Sequence, residues 1–216
     1  MKNIYDIIVH NDLLRDAFKY IVRNNTSNLA PYHSFNHMML VTQQIYNGFQ
    51  NSKEGLPYWN LLLSGMFHDM NHTMGEQTDD INVKNACVAL KDWWKYSGSK
   101  IDTSFIEVDI NEISNIIKAT QYPYVINDED LTRPQQLIRD CDLLIVIQSN
   151  WFQNLLGLNN EMGVMDISLV LSKSIDFYSN VTMRTDWAKE IYEKEWSIFM
   201  DRLGNYNELF NGGEAS

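Results

Sequence analysis

The stretch LLLSGMFHDM, residues 61–70, is apolar on every face until it ends in an adjacent histidine and aspartate. Bounded by Pro57 before it and by a polar run from His72 to Asp80 after it, it reads as a helix over about residues 58–70. Such a helix has no stripe to offer solvent, so it belongs inside a helical core. That placement makes His68 and Asp69 conspicuous. A buried carboxylate beside a buried imidazole needs compensating charge, no Lys or Arg stands near in sequence, and a metal ion supplies it. Neighbouring residues project about 100° apart on a helix, so the ion would lie in the angle between them, near the helix end. A hydrogen-bonded core histidine is the plainer alternative, and the burial of the pair weighs against it.

Outward from this segment, apolar spacing is helical almost everywhere. Ile4, Ile7, Ile8, Leu13, Leu14, Phe18 and Ile21 form one stripe, predicting a first helix over about residues 3–24, and a second helix starts just after Pro31. Val83, Ala86, Cys87, Leu90, Trp93 and Trp94 mark another, ending at SGSK. Further helices follow over about 107–121, from Pro134 through LIRDCDLLIVIQS, and over about 164–179 and 183–203. No alternating strand pattern interrupts them. The expected fold is all-α: a single domain over residues 1–216, an antiparallel helical bundle of about seven to eight helices, with its core over about 30–203 and a frayed tail NGGEAS.

Composition narrows the function. A formal net charge of −11 disfavours a nucleic-acid scaffold or an anionic membrane surface. A phosphate substrate is compatible with that charge only if it is small and met by a locally cationic pocket, for which a bound ion is the obvious source. Cys87 and Cys141 both sit in apolar helical patterns and read as core thiols in a reducing compartment. With no leader-like or membrane-spanning run, the expected location is cytoplasmic. The aromatic pairs Trp93-Trp94 and Trp151-Phe152 read as core.

Of five histidines, four fall in two short segments, PYHSFNHMMLV with His33 and His37 and MFHDMNHTMG with His68 and His72. Side chains four residues apart share a helix face, so His33 and His37 are expected to look into one pocket. A third segment, LIRDCDLLIVI, sets Asp140 and Asp142 in an apolar helix. Asp142 lies among Cys141, Leu143, Leu144 and Ile145 with no local cation and is the candidate fourth ligand; Arg139 does not face Asp140. Imidazole and carboxylate together suit Mg, Mn, Zn, Fe or Co.

The order His, His-Asp, Asp across helical segments resembles the HD-domain superfamily of metal-dependent phosphohydrolases, over about residues 30–203. PYHSFNH followed by FHDMNHTMG is similar to the paired motifs of class I cyclic nucleotide phosphodiesterases, coinciding at Tyr32, His33, His37, His68-Asp69 and His72. IIKAT at 116–120, RDCDLLIVI at 139–147 and MRTDWAKEIYEKEW near the end are similar to short predicted HD phosphohydrolases, with Cys141 where those have Ala. The resemblance implies that His37, His68, Asp69 and Asp142 hold one or two divalent ions, with Asp69 bridging to the second. The same resemblance implies that water activated by such an ion would attack phosphorus and that His33 would protonate the leaving oxygen. His72 orients the site or touches phosphate, while Tyr32, Asn71, Asp140 and Phe177 stand behind the ligands or against the substrate.

The implied substrate is a nucleotide phosphate ester, a cyclic phosphodiester ahead of a phosphomonoester or pyrophosphate of a linear nucleotide or sugar phosphate. A di-iron oxygenase ranks behind, because such relatives carry extra histidines and only His10 is left over here, and a non-catalytic ligand-binding module ranks third. The chain departs from the phosphodiesterase pattern with Ser34 for an Asn, Asn71 for a second Asp, and Thr73-Met74-Gly75 for Pro-Gly. The purine-clamping Gln before a Phe has no counterpart near Phe177.

Overall fold

A computed structural model describes residues 3–52, 55–104, 106–147, 150–164 and 166–211; the tail NGGEAS falls outside these from residue 212 onward. Among the described residues there are ten α-helices and no strand, more helices than the seven or eight expected. Two local events account for the difference. The first apolar stripe is split at Asn11 into α1 (Ile4–His10) and α2 (Asp12–Asn24). Asn11 takes extended backbone angles and its side chain accepts from Leu14 N–H, so one short amide ends the first helix and caps the second. The other event is a helix that apolar spacing did not mark, α8 (Trp151–Glu161), described below with its neighbours.

After the 25–34 loop come α3 (Phe35–Asn51), α4 (Tyr58–Phe67), α5 (Asp79–Tyr96) and α6 (Ile110–Ile117), the last continued by a 3₁₀ turn Lys118–Thr120. α6 starts later than the expected 107, where Asp109 accepts from Asn111 and Glu112 N–H and caps it. α7 (Arg133–Leu144) begins with Pro134 in its first turn and Gln135 accepting from Thr132 N–H, then tightens into a 3₁₀ turn Ile145–Ile147. α8, α9 (Ile167–Ser179) and α10 (Asp186–Asn211) complete the chain. No helix among the described residues is long and apolar enough to cross a membrane.

α4 is the centre of the bundle. Every side chain from Asn60 to Phe67 is buried, and α3, α5, α6, α7 and α2 all touch it. At Gly65 a Cβ would come within 3.1 Å of the Thr42 backbone and 2.7 Å of Ile45 Cδ1, so the missing side chain is what lets α3 lie this close to α4. Most of the core surrounds this contact, and a second apolar cluster, built on Trp151, Leu171, Tyr178 and Phe199, joins α8, α9 and α10; Trp187 packs against both.

α8 is seated through another glycine. A Cβ on Gly157 would stand 2.4 Å from Pro31 O and 2.9 Å from Pro31 C, atoms of a backbone that cannot step aside cheaply. Gly157→Ala is therefore expected to destabilise the fold by about 1–3 kcal/mol, read as a lower urea midpoint, because α8 must withdraw from the segment that carries Tyr32 and His33.

Candidate metal centre

His37 belongs to the first turn of α3, whose N-cap is Ser34, the hydroxyl accepting from His37 N–H at 3.3 Å. Ser34 thus starts the helix. His33 lies before that cap, off the helix, so the shared-face argument for His33 and His37 does not apply; the two rings nonetheless lie 6.0 Å apart because the 31–34 segment bends back over the helix start. α4 ends at Phe67, three residues short of the expected Met70, with His68 as its C-cap and Asp69 next in the turn. Asp142 comes from the last turn of α7.

These elements bring the ligand atoms of His37, His68 and Asp69 within 4.8 Å of one another and set Asp142 beside the two imidazoles. His37 Nε2 is 3.2 Å from Asp69 Oδ2, 3.1 Å from Asp142 Oδ1 and 3.3 Å from His68 Nε2; His68 Nε2 is 3.1 Å from Asp69 Oδ2 and 4.0 Å from Asp142 Oδ1. Ligands placed tetrahedrally at roughly 2.0–2.2 Å from an ion are about 3.3–3.6 Å from one another; the His37, His68 and Asp69 atoms, at 3.1–3.3 Å, come close to that spacing, and Asp142 Oδ1 approaches from the His37 side while standing 4.0 Å from His68 Nε2. His68 is turned for ligation: its Nδ1 lies 2.9 Å from Gly65 O, which can only accept, so the neutral ring keeps its proton on Nδ1 and presents Nε2 to the centre. His37 Nδ1 is buried with no hydrogen-bond partner among the described residues, and its ring is steadied instead by Tyr32, 4.7 Å away. The donor set fits a divalent ion of the borderline or hard kind.

The charges within the cluster depend on one another. Burial works against the charged form of His37, but hydrogen bonds to Asp142 and Asp69 outweigh it and push the imidazole up to about 10. His68 is likewise depressed by burial and raised on balance by Asp69, while Asp69, despite burial, is held well below its ordinary range by His68 and His37. In the protein alone, imidazolium protons do the neutralising that an ion would otherwise do.

Beside this cluster stands a second group. Glu161, at the end of α8, accepts from the backbone N–H of Tyr32 at 2.7 Å and of His33 at 2.9 Å on one oxygen, and from His33 Nδ1 at 2.5 Å on the other. Burial opposes the carboxyl's charge, yet His33 and the two backbone donors keep it below the usual range. His72 stacks on His33 with ring centroids 3.7 Å apart and planes at 18°. Ligand atoms of His33, His72 and Glu161 lie within 4.8 Å of one another, but ring lone pairs lie in the ring planes, and two nearly parallel planes do not converge on one ion. Nor are the nitrogens of His72 available: Met74 N–H donates to Nδ1, and Nε2 is 2.9 Å from Asn82 Nδ2 and 3.8 Å from Asp79 Oδ1. The ring nitrogens of His72 are thus engaged within the protein, and its ring packs His33 in place, as the orienting one of its two expected roles requires.

Asn71 lies in the same turn, two residues after Asp69. With φ at 62° it occupies the left-handed region, its Oδ1 accepts from Thr26 N–H at 3.0 Å, and its own N–H donates to Asn25 Oδ1 at 2.8 Å. It fastens the turn carrying Asp69 and His72 to the 25–28 loop. Asn71→Val places a β-branched residue at that angle and is expected to cost about 1–3 kcal/mol, whereas Asn71→Gly keeps the angle; chemical denaturation of both variants checks the contrast.

An aromatic wall borders Asp142. Tyr122 and Tyr124 lie 5.5 Å apart, Tyr122 meets Phe177 at 5.8 Å, and Phe177 meets Tyr178 at 5.0 Å. Tyr122 N–H donates to Asp79 Oδ2 at 2.6 Å, which anchors the wall beside His72. Burial and the nearby Asp142 charge raise the phenols of Tyr124, Tyr178 and Tyr32, keeping them protonated donors. The guanidinium of Arg139 lies 3.9 Å from the Tyr124 ring and that of Arg184 5.4 Å, and both are engaged by acids: Arg139 with Asp128, and Arg184 with Asp128 and Asp140. Asp140 faces that ion-pair network and the turn after α9, away from the imidazoles.

Glu161, Asp79, Asn82, Tyr122 and Tyr124 were not marked by sequence patterns. In comparisons with known proteins, no family model matches the chain and no curated protein matches it.

Proposed function

We propose that the chain is a metal-dependent phosphohydrolase that opens a phosphodiester of a nucleotide, a cyclic one first, with His37, His68, Asp69 and Asp142 as the ligands of a divalent ion. The observation that carries this reading is that two imidazole nitrogens meet, with a carboxylate oxygen of Asp69 and one of Asp142 each 3.1–4.0 Å from both of them, His68 presenting Nε2 inward. A divalent ion bound there supplies Lewis acidity, drawing electron density from water and from phosphoryl oxygens.

The protein's own groups do the rest. His33 holds its Nδ1 proton on Glu161, which leaves Nε2 as the atom that can hand a proton to a leaving oxygen. Glu161 fixes the tautomer, fixes the backbone of the Tyr32–His33 segment with its other oxygen, and balances the imidazolium charge. The His72 ring closes the other face of His33 and excludes water from it. Tyr32, Tyr124 and Tyr178 offer neutral hydroxyls near Asp142, and the cations behind the wall, Arg139 and Arg184, are already paired. A wall of neutral donors suits a singly charged diester better than a polyphosphate tail, which calls for Lys or Arg clamps.

The test is incubation of the purified protein with Mn²⁺ and a panel of cyclic and linear nucleotides. A nucleoside monophosphate from a cyclic substrate, without free phosphate, is the expected product; release of phosphate or pyrophosphate from linear nucleotides instead would move the assignment to the phosphomonoesterase or pyrophosphohydrolase class.

A further inference from the structure

α7 carries two aspartates two residues apart, which places them about 200° from each other around the helix axis. Asp142 faces the imidazoles, in the final turn of α7, where carbonyls lack later N–H partners and the chain passes into the 3₁₀ turn Ile145–Ile147. Its side chain keeps 30% of its exposure, and the imidazoles themselves are its contacts, at 3.1 Å to His37 and 4.0 Å to His68. Asp140, on the other side, has no exposure at all and is gripped by the turn between α9 and α10. Arg184 N–H reaches its two oxygens at 3.0 and 2.9 Å, Thr185 N–H donates at 2.7 Å, Thr185 Oγ1 at 2.9 Å, and Arg184 Nη1 stands at 3.4 Å. The Thr185 hydroxyl also accepts from Ala188 N–H at 3.3 Å, so a single side chain ties the start of α10 to α7.

A helix anchored this firmly on one face has its rotation set for the other. We infer that the Arg184–Thr185 turn, acting through Asp140, fixes the azimuth of α7 and so holds the Asp142 carboxylate at the ion, which makes Thr185 a positioning residue of the metal centre. The inference rests on the metal assignment above, and it reaches residues more than forty positions away that touch neither ion nor substrate.

Co²⁺ serves as the probe, since its visible absorption reports the geometry of its ligands and its titration gives a dissociation constant without any turnover. The wild type is expected to bind Co²⁺ and His37→Ala not to. Thr185→Val keeps the backbone donor but removes the hydroxyl, and is expected to weaken Co²⁺ binding by about 10–100-fold and to alter the visible bands, while Thr185→Ser restores both. Loss of a helix cap alone is controlled by Asp166→Ala, which deletes the side chain that accepts from Ser168 and Leu169 N–H at the start of α9. That variant is expected to melt earlier with unchanged Co²⁺ affinity.

Wild-type affinity and spectrum in Thr185→Val, with only a lowered melting temperature, would reduce Thr185 to a cap and overturn the inference. Should Thr185→Val not fold, Asp140→Asn substitutes: it sets an amide N–H₂ against the N–H donors of the turn, and retained Co²⁺ affinity there overturns the inference equally. A wild type that ignores Co²⁺, like His37→Ala, sinks the metal assignment itself and is distinguishable from both.

Discussion

Replacing His33 with alanine is expected to lower turnover of a cyclic nucleotide by roughly 10²–10⁴-fold, the range that a positioned general acid contributes, with the content of bound divalent ion unchanged. The separation of these two effects follows from geometry. His33 gives its Nδ1 to Glu161, and its ring lies 6.0 Å from that of His37, so it belongs to the neighbouring group and not to the four convergent ligands. Glu161→Gln is expected to fall between wild type and His33→Ala: the backbone contacts on one oxygen survive, but the imidazolium loses its counter-charge and the Nδ1 proton its acceptor. Metal analysis and single-turnover rates on both variants check this. Full turnover in His33→Ala removes the acid from the mechanism; parallel loss of metal makes His33 a ligand and redraws the site.

What could be read from the chain was what is local. His68 and Asp69 announce themselves because eight consecutive buried residues of α4 lead straight into them, and Asp142 because its neighbours are apolar on both sides. The grouping of these residues at one point needed only that α3, α4 and α7 be neighbours in a helical bundle. Glu161 gave no such signal: it ends a helix without a clear apolar period, and its partners lie 128 and 129 residues away. A separation of 45 residues likewise hides the hold of Thr185 on Asp140. Asn11 failed differently, since a continuous apolar stripe runs through it and only the competition of its own side chain for the backbone breaks the helix. Asn71 and His72 sit where the motif places them, but their polar atoms turn toward the 25–28 loop and toward Asn82, choices made by partners far off in sequence or by a left-handed backbone angle.

Divalent ion is expected to raise the melting temperature of the wild type and to leave that of Asp142→Ala nearly unmoved. The ligands come from three helices that otherwise meet through apolar side chains, so an ion bound only by the folded form adds stability by mass action. At an ion concentration 100-fold above the dissociation constant the gain is about 2.7 kcal/mol, and at roughly 2–4 °C per kcal/mol for a chain of this size that is a shift of about 5–11 °C. Protons compete for the same lone pairs. His37 has its folded-state value raised from 6.5 to about 10, chiefly by Asp142 and Asp69 against the cost of burial. The stabilisation that its proton gives the ion-free fold is therefore complete below pH 6.5 and is lost as pH climbs through about 10. Binding requires the ring without that proton, so the metal-induced shift should grow with pH across the same window, and binding near neutrality should release protons measurable as a buffer-dependent heat. A shift that is independent of pH, or one that persists in Asp142→Ala, would mean that the ion binds somewhere other than among these four side chains.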